Sequence, residues 1–182
     1  MNSTEPVVRI DARLDADSMH LMYEVINSLD VPIFVFDRLY DLKASALSQD
    51  WAYTAFDDAR VWLCRQIWPL PRGLHHENPE VPYGRYLGPG AKLSGQLVLP
   101  LPLVERDPYY AFLHQAGRTV DVKLTQLVLR VGWARVSDLR GGSSVELEGE
   151  KLVLFPYDEA ILKQKFANSP PANIVLRGTA SR

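Results

Sequence analysis

Val8, Ile10, Ala12 and Leu14 alternate with Arg9, Asp11, Arg13 and Asp15 near the start of the chain. Only an extended strand sends alternate side chains to opposite sides, so this segment predicts a β-strand with one apolar and one charged face. After a turn at residues 15–18, Met19, Leu21, Tyr23 and Val25 interleave with His20, Met22 and Glu24 and predict a second strand. Ile33, Phe34, Val35 and Phe36 form a continuous apolar run behind Pro32, as expected of a strand covered on both faces. These three strands are expected to form a meander that continues through residues 37–40.

Residues 41–50 lose the alternation and predict a loop, with a helical turn around 42–47. Trp51, Tyr53 and Phe56 resume it, Asp57-Asp58 can turn the chain, and residues 59–68 predict a strand. Val61 and Leu63 share one face of that strand; Trp62, Cys64 and Gln66 share the other. Residues 69–90 carry prolines that interrupt any backbone ladder, so they predict one long irregular loop ending in the turn Gly88-Pro89-Gly90. Leu93, Gly95, Leu97 and Leu99 mark the next strand, which Pro100 and Pro102 close.

Asp107 as a cap, Pro108 at the first turn and Gly117 at the exit predict a short helix, with Tyr109, Phe112, Leu113 and Ala116 on one face. Between residues 120 and 136 the apolar positions change phase. Val120, Val122, Leu124 and Val128 are even-numbered, whereas Leu127, Leu129, Val131 and Trp133 are odd, which predicts a bulge near Gln126 or burial of both faces. Gly141-Gly142 breaks the chain, residues 145–148 and 151–155 predict a hairpin around Gly149-Glu150, and residues 158–167 suit a helix as well as a strand. A last strand is expected at 173–177.

No repeat and no linker divides the chain, and 182 residues suffice for one well-buried core. The expected fold is a single-domain, all-β, immunoglobulin-like antiparallel β-sandwich with one or two short helices. Two short passages carry a further resemblance: Tyr23-Glu24-Val25-Ile26-Asn27-Ser28 followed by Ile33-Phe34-Val35-Phe36-Asp37, and Leu87-Gly88-Pro89-Gly90 later. Over about a quarter of the chain this order resembles the bacterial intracellular proteinase-inhibitor-like sandwiches. The motifs are generic strand-turn-strand solutions and transfer no functional residue.

The 20 basic and 22 acidic residues are interspersed, giving a formal net charge of −2. Without a basic run, nucleic acid is not an expected partner. The first residues lack the basic start and apolar stretch of a secretory signal, and the longest apolar run, 97–104, is far short of a membrane span. A cytoplasmic location is therefore expected. Cys64, the single cysteine, forms no internal disulfide and is expected in the core.

No motif for catalysis emerges. His75-His76-Glu77, with Glu80 nearby, is the closest approach to a metal cluster, but adjacent histidines point apart and HExxH spacing is absent. No metal or other cofactor is expected. His20 and His114 are expected to be structural. Ser94-Gly95 lacks a nucleophile-elbow context, Gly88-Pro89-Gly90 lacks the lysine of a phosphate loop, and Asp57-Asp58 suits a solvated turn.

Trp51, Tyr53, Trp62, Trp68, Tyr83 and Tyr86 gather around the predicted loop. The tryptophans are expected in the core, whereas Tyr83 and Tyr86, amid proline and glycine, are expected to meet solvent. The leading functional expectation is a noncatalytic protein–protein interaction module, such as a small subunit of a larger bacterial assembly. It would use Tyr83, Tyr86, His75 and His76 to bind another protein or a second copy of itself. One alternative is a small-ligand or carbohydrate-binding sandwich with aromatic platforms. Another is an enzyme whose site gathers dispersed residues such as His75, His76, Glu77 and Asp57.

Overall fold

The computed structural model describes residues 4–41, 44–48, 51–74, 79–106, 108–109 and 119–181. The protein is mostly β, with several sheets. The alternating segments at the start form β1 (Val7–Leu14) and β2 (Ser18–Ile26), an antiparallel pair in which Val8 faces Val25 and Leu14 faces Met19. Met19, Leu21, Tyr23 and Val25 are buried, as their alternation predicts. In β1 the apolar face fades toward its end. Val8 is buried and Ile10 and Ala12 are half-buried, but Leu14 is 41% exposed because β1 is an outer strand running past the core.

β3 (Ile33–Arg38) is buried on both faces through Asp37. It does not continue a meander, which corrects the sequence expectation. The other neighbour of β2 is β9 (Lys92–Pro100), and the chain crosses after Asn27 into a second, larger sheet. Asn27 holds that crossing. Its buried side-chain amide donates to the Val31 and Leu87 carbonyls (2.9 and 3.0 Å) and accepts from the Leu29 N–H (3.1 Å). Its own backbone is bonded to Gly90 and Ala91, which ties the crossing to the turn before β9.

β4 (Tyr40–Asp41) and β5 (Ala46–Leu47) pair antiparallel, in place of the expected helical turn. β6 (Tyr53–Asp57) and β7 (Arg60–Arg65) pair around the Asp58 turn, where φ is 51°. The predicted loop at 69–90 is only partly a loop, because residues 83–87 form β8 (Tyr83–Leu87) between β3 and a later strand. Tyr83-Gly84-Arg85-Tyr86-Leu87 contains no proline, so the chain can pair there once the proline-bearing stretch has ended.

After the short β10 (Leu103–Val104), the predicted helix at 107–117 lies largely outside the described residues. β11 (Thr119–Arg135) runs through the middle of the large sheet. Its register shifts between Leu124 and Gln126, the bulge that the change of apolar phase predicts. β12 (Ser143–Leu147) and β13 (Glu150–Leu154) form the expected hairpin, turned one residue earlier at Glu148-Gly149, both with positive φ. Residues 157–168 resolve into both alternatives, a helix α1 (Tyr157–Lys163) and a strand β14 (Lys165–Asn168), before the last strand β15 (Ala172–Ser181).

The sheet β1-β2-β9 lies on the large sheet through one apolar cluster. Leu21, Val25 and Leu97 come from the small sheet; Val35, Leu63, Leu127, Val131 and Trp133 come from the large one. A second cluster, with Phe34, Phe36, Ile67, Ala134 and Phe155, occupies the opposite face of the large sheet under Ala160 of α1. β3 supplies alternate residues to both clusters, which explains its uninterrupted apolar sequence.

Candidate interaction site

The apolar run of β3 ends in Asp37-Arg38, and the strand changes character there. Phe36 pairs with Gly84 but Arg38 with Tyr83, so β3 carries an extra residue at this point. Such a bulge re-aims side chains. Here Asp37 is sealed between the sheets while Arg38 extends along the same end toward Glu150.

Tyr23 of β2 reaches the same place from the small sheet because residue 95 of β9 is glycine. The Tyr23 ring and hydroxyl fill the space that a Cβ at Gly95 would take. The Tyr23 hydroxyl donates to Asp37 Oδ2 (2.7 Å) and accepts from Arg65 Nη1 (2.7 Å). Arg65 of β7, 1% exposed, also donates to the Asp37 carbonyl and to the Trp51 carbonyl (both 2.9 Å). Its guanidinium lies over the Tyr23 and Trp51 rings. Arg85 of β8 binds Asp37 with two donors, Nε to Oδ1 at 2.9 Å and Nη2 to Oδ2. Arg38 makes a matching two-donor contact with Glu150 of β13, both bonds 2.9 Å.

The charges follow from these contacts. Burial pushes the Asp37 carboxyl up, but the Arg85 charge and its hydrogen bonds, helped by Arg38 and Arg65, outweigh it and hold the group below its usual value. For Arg85, burial opposes the cation, yet Asp37 reverses the balance and raises it. Burial first, and Asp37 second, push Tyr23 up to about 12. The hydrogen bonds from Arg38 lower Glu150. At neutral pH the network thus holds three guanidinium cations, two carboxylates and a neutral phenol.

Above it opens a cleft of about 320 Å³. Met22, Ser94, Gly95 and Gln96 of the small sheet form one side; Leu47, Ser48, Arg38, Glu148 and Glu150 form the other, with Arg65 also lining it. Met22 is 53% exposed. Glu148 accepts the Leu47 N–H at 2.7 Å, which docks the β4–β5 hairpin against the β12–β13 turn and shapes the rim. Among the described residues, each charged lining residue therefore already has a partner.

The residues singled out in the sequence lie elsewhere. Tyr86 is 59% exposed, edge-on to Phe34, on the opposite face of the large sheet. Tyr83 is half-buried within β8, so it is not a loop residue. His75, His76 and Glu77 lie outside the described residues. Asp57 is exposed at its hairpin turn, and among the described residues no His, Cys, Asp and Glu cluster could hold a metal. Cys64 is buried and its thiol is pushed up to about 12 by burial, as befits a core residue. Trp51 is likewise core, and Trp62 is half-buried with Arg60 and Arg130 over its ring.

Sequence reasoning missed the entire polar network. One signal was present: Arg65 is a charged residue inside the otherwise apolar stretch Val61-Trp62-Leu63-Cys64-Arg65-Gln66-Ile67-Trp68. A charge there needs partners from other strands. Among the described residues, no helix is long and apolar enough to cross a membrane. Comparison with protein-family models, curated proteins and solved structures finds no match.

Proposed function

We propose that this chain, as a single immunoglobulin-like domain, is a noncatalytic interaction module that receives part of a partner protein in the cleft between β9 and the Leu47/Glu148 rim. The observation that carries the reading is the saturation of the cleft's charges. Arg38 is engaged by Glu150, Arg65 by Tyr23 and two carbonyls, and Glu148 by a backbone N–H. Among the described residues a charged substrate would find no free counter-charge, and no acid–base pair stands poised beside an open position. A protein surface needs neither. It needs a shaped, partly apolar recess on a rigid floor, and the locked network supplies that floor.

The partner is protein rather than nucleic acid, in keeping with the absence of a basic run, and the setting is cytoplasmic. Small-ligand binding is a second reading, favoured by a volume at the lower end of ligand pockets. Purification of the tagged protein from its native host, followed by native mass spectrometry, separates the two. A stoichiometric protein partner that is lost in Gln96→Arg and kept in Val175→Arg supports the interaction module. A retained small molecule, or a partner indifferent to Gln96→Arg, refutes it.

A further inference from the structure

We infer that the segment entering the cleft is an uncharged extended chain that adds as a strand to the free edge of β9; this rests on the interaction reading above. β9 pairs with β2 and with no other strand among the described residues. The Ser94 carbonyl accepts from Arg85 Nη1 and Nη2 (3.4 and 3.3 Å), so the Ser94 backbone faces away from β2. In an antiparallel ladder a residue's N–H and C=O point to the same side, and alternate residues repeat the direction. Gln96 and Val98 therefore present both backbone groups outward, and among the described residues neither meets a backbone partner there.

Two other outer strands, β1 and β12, are guarded by charge. β1 displays Arg9, Asp11 and Arg13, and β12 carries Glu146, which discourages pairing with a stray chain. Residues 93–100 of β9 contain no charged side chain at all. This uncharged edge lies beside the cleft, lined there by Ser94, Gly95 and Gln96.

The occupant is a single extended segment, because the opposite side of the cleft is already built. An added strand lies about 4.8 Å from its neighbour, whereas a second folded sheet would meet Leu47, Ser48 and Glu148. Among the described residues the lining carries two cations, Arg38 and Arg65, and two anions, Glu148 and Glu150, all engaged. A charged side chain brought in would lose water without gaining a free partner. Strand addition instead recognises main-chain groups, with alternate side chains free to rest on Met22 and Leu47.

The test uses a capped synthetic peptide of alternating valine and threonine, and its analogue N-methylated on the bonding edge, read by amide hydrogen exchange and heteronuclear NMR. With the peptide at about ten times its Kd, the Gln96 and Val98 amides should exchange about tenfold more slowly, since only unbound protein exchanges freely. The Leu97 amide, which faces β2, should be unchanged, and the N-methylated analogue should lose the effect. Equal protection by both peptides, or shifts of the Met22 methyl and Gln96 side-chain amide without backbone protection, overturns strand addition while leaving a protein-binding cleft. No response anywhere in the cleft overturns both readings.

Discussion

Replacing Asp37 with alanine should unfold the protein more readily than any surface substitution, and the contacts fix the scale. The carboxylate is fully enclosed and accepts two bonds from Arg85 and one from the Tyr23 hydroxyl. Its removal leaves Arg85 without its counter-ion and takes one carboxylate from the surroundings of Arg65. Breaking a buried pair from one side costs about 3–5 kcal/mol, because the remaining charge stays desolvated. That is a large part of a typical domain's stability. Asp37→Asn keeps the shape and one acceptor, so it should cost less, about 1.5–3 kcal/mol, the range for bonds to charged groups. Tyr23→Phe removes a hydroxyl that donates to the Asp37 carboxylate and accepts from the Arg65 guanidinium, so it should also cost about 1.5–3 kcal/mol.

Urea unfolding followed by fluorescence would measure the three variants, provided that the m-value stays constant. The pH dependence gives an independent check. A carboxyl held below its unfolded value contributes stability that is complete above that value, 3.8, and is lost as pH falls from there through the folded value. Wild type should therefore weaken in that acid window more steeply than Asp37→Ala. If Asp37→Ala costs under about 1 kcal/mol, or if the two acid profiles are parallel, the reasoning from a desolvated network fails.

Four further outcomes are expected. Gly95→Ala should cost about 1–3 kcal/mol by overpacking Tyr23; in Tyr23→Ala the same change should be nearly free, and additive costs in a thermal-denaturation cycle would refute the contact. Leu14→Ala should lie within about 0.5 kcal/mol of wild type, whereas Leu21→Ala should cost about 2–5 kcal/mol in chemical denaturation. Spectroscopic titration should place the ionisation of Tyr23 near about 12, and its contribution to stability, complete below 10, should vanish as pH rises through that value. Tyr86→Ala should cost no more than about 1.5 kcal/mol, the edge contact with Phe34, and should leave partner binding intact because it faces away from the cleft.

The sequence makes strands legible wherever side-chain alternation reports burial directly. β2 alternates cleanly because one face meets the core and the other meets water. The bulge in β11 is equally visible because a register shift must move the apolar set from one parity to the other. Pairing partners are another matter. Adjacent strands in sequence suggested a meander, yet β2 pairs with β9 across about 70 residues of chain, and nothing in the alternation of β3 distinguishes a neighbour in the same sheet from a crossing to the other. Tyr83-Gly84-Arg85-Tyr86-Leu87 was hidden for a related reason: proline and glycine density on either side masks a five-residue strand whose stability comes wholly from β3 and β13.

The polar network shows why the candidate site was less legible than the fold. Each member reads locally as something ordinary: Tyr23 as a core aromatic, Asp37-Arg38 as the polar end of a strand, Arg85 as a loop cation and Glu150 as part of a turn. Their significance is pairwise and long-range, linking positions 23, 37, 65, 85 and 150. Even so, one residue constrains the rest. Arg65 sits on a strand whose flanking side chains are buried, and a guanidinium enclosed there demands a carboxylate or several carbonyls from neighbouring strands. The network answers that demand at the seam between the two sheets, where a bulge frees Asp37 from ordinary ladder geometry and a glycine lets Tyr23 cross β9. The same glycine lies on the edge of β9 beside the cleft, so the packing that secures the floor also sets the shape of the surface above it.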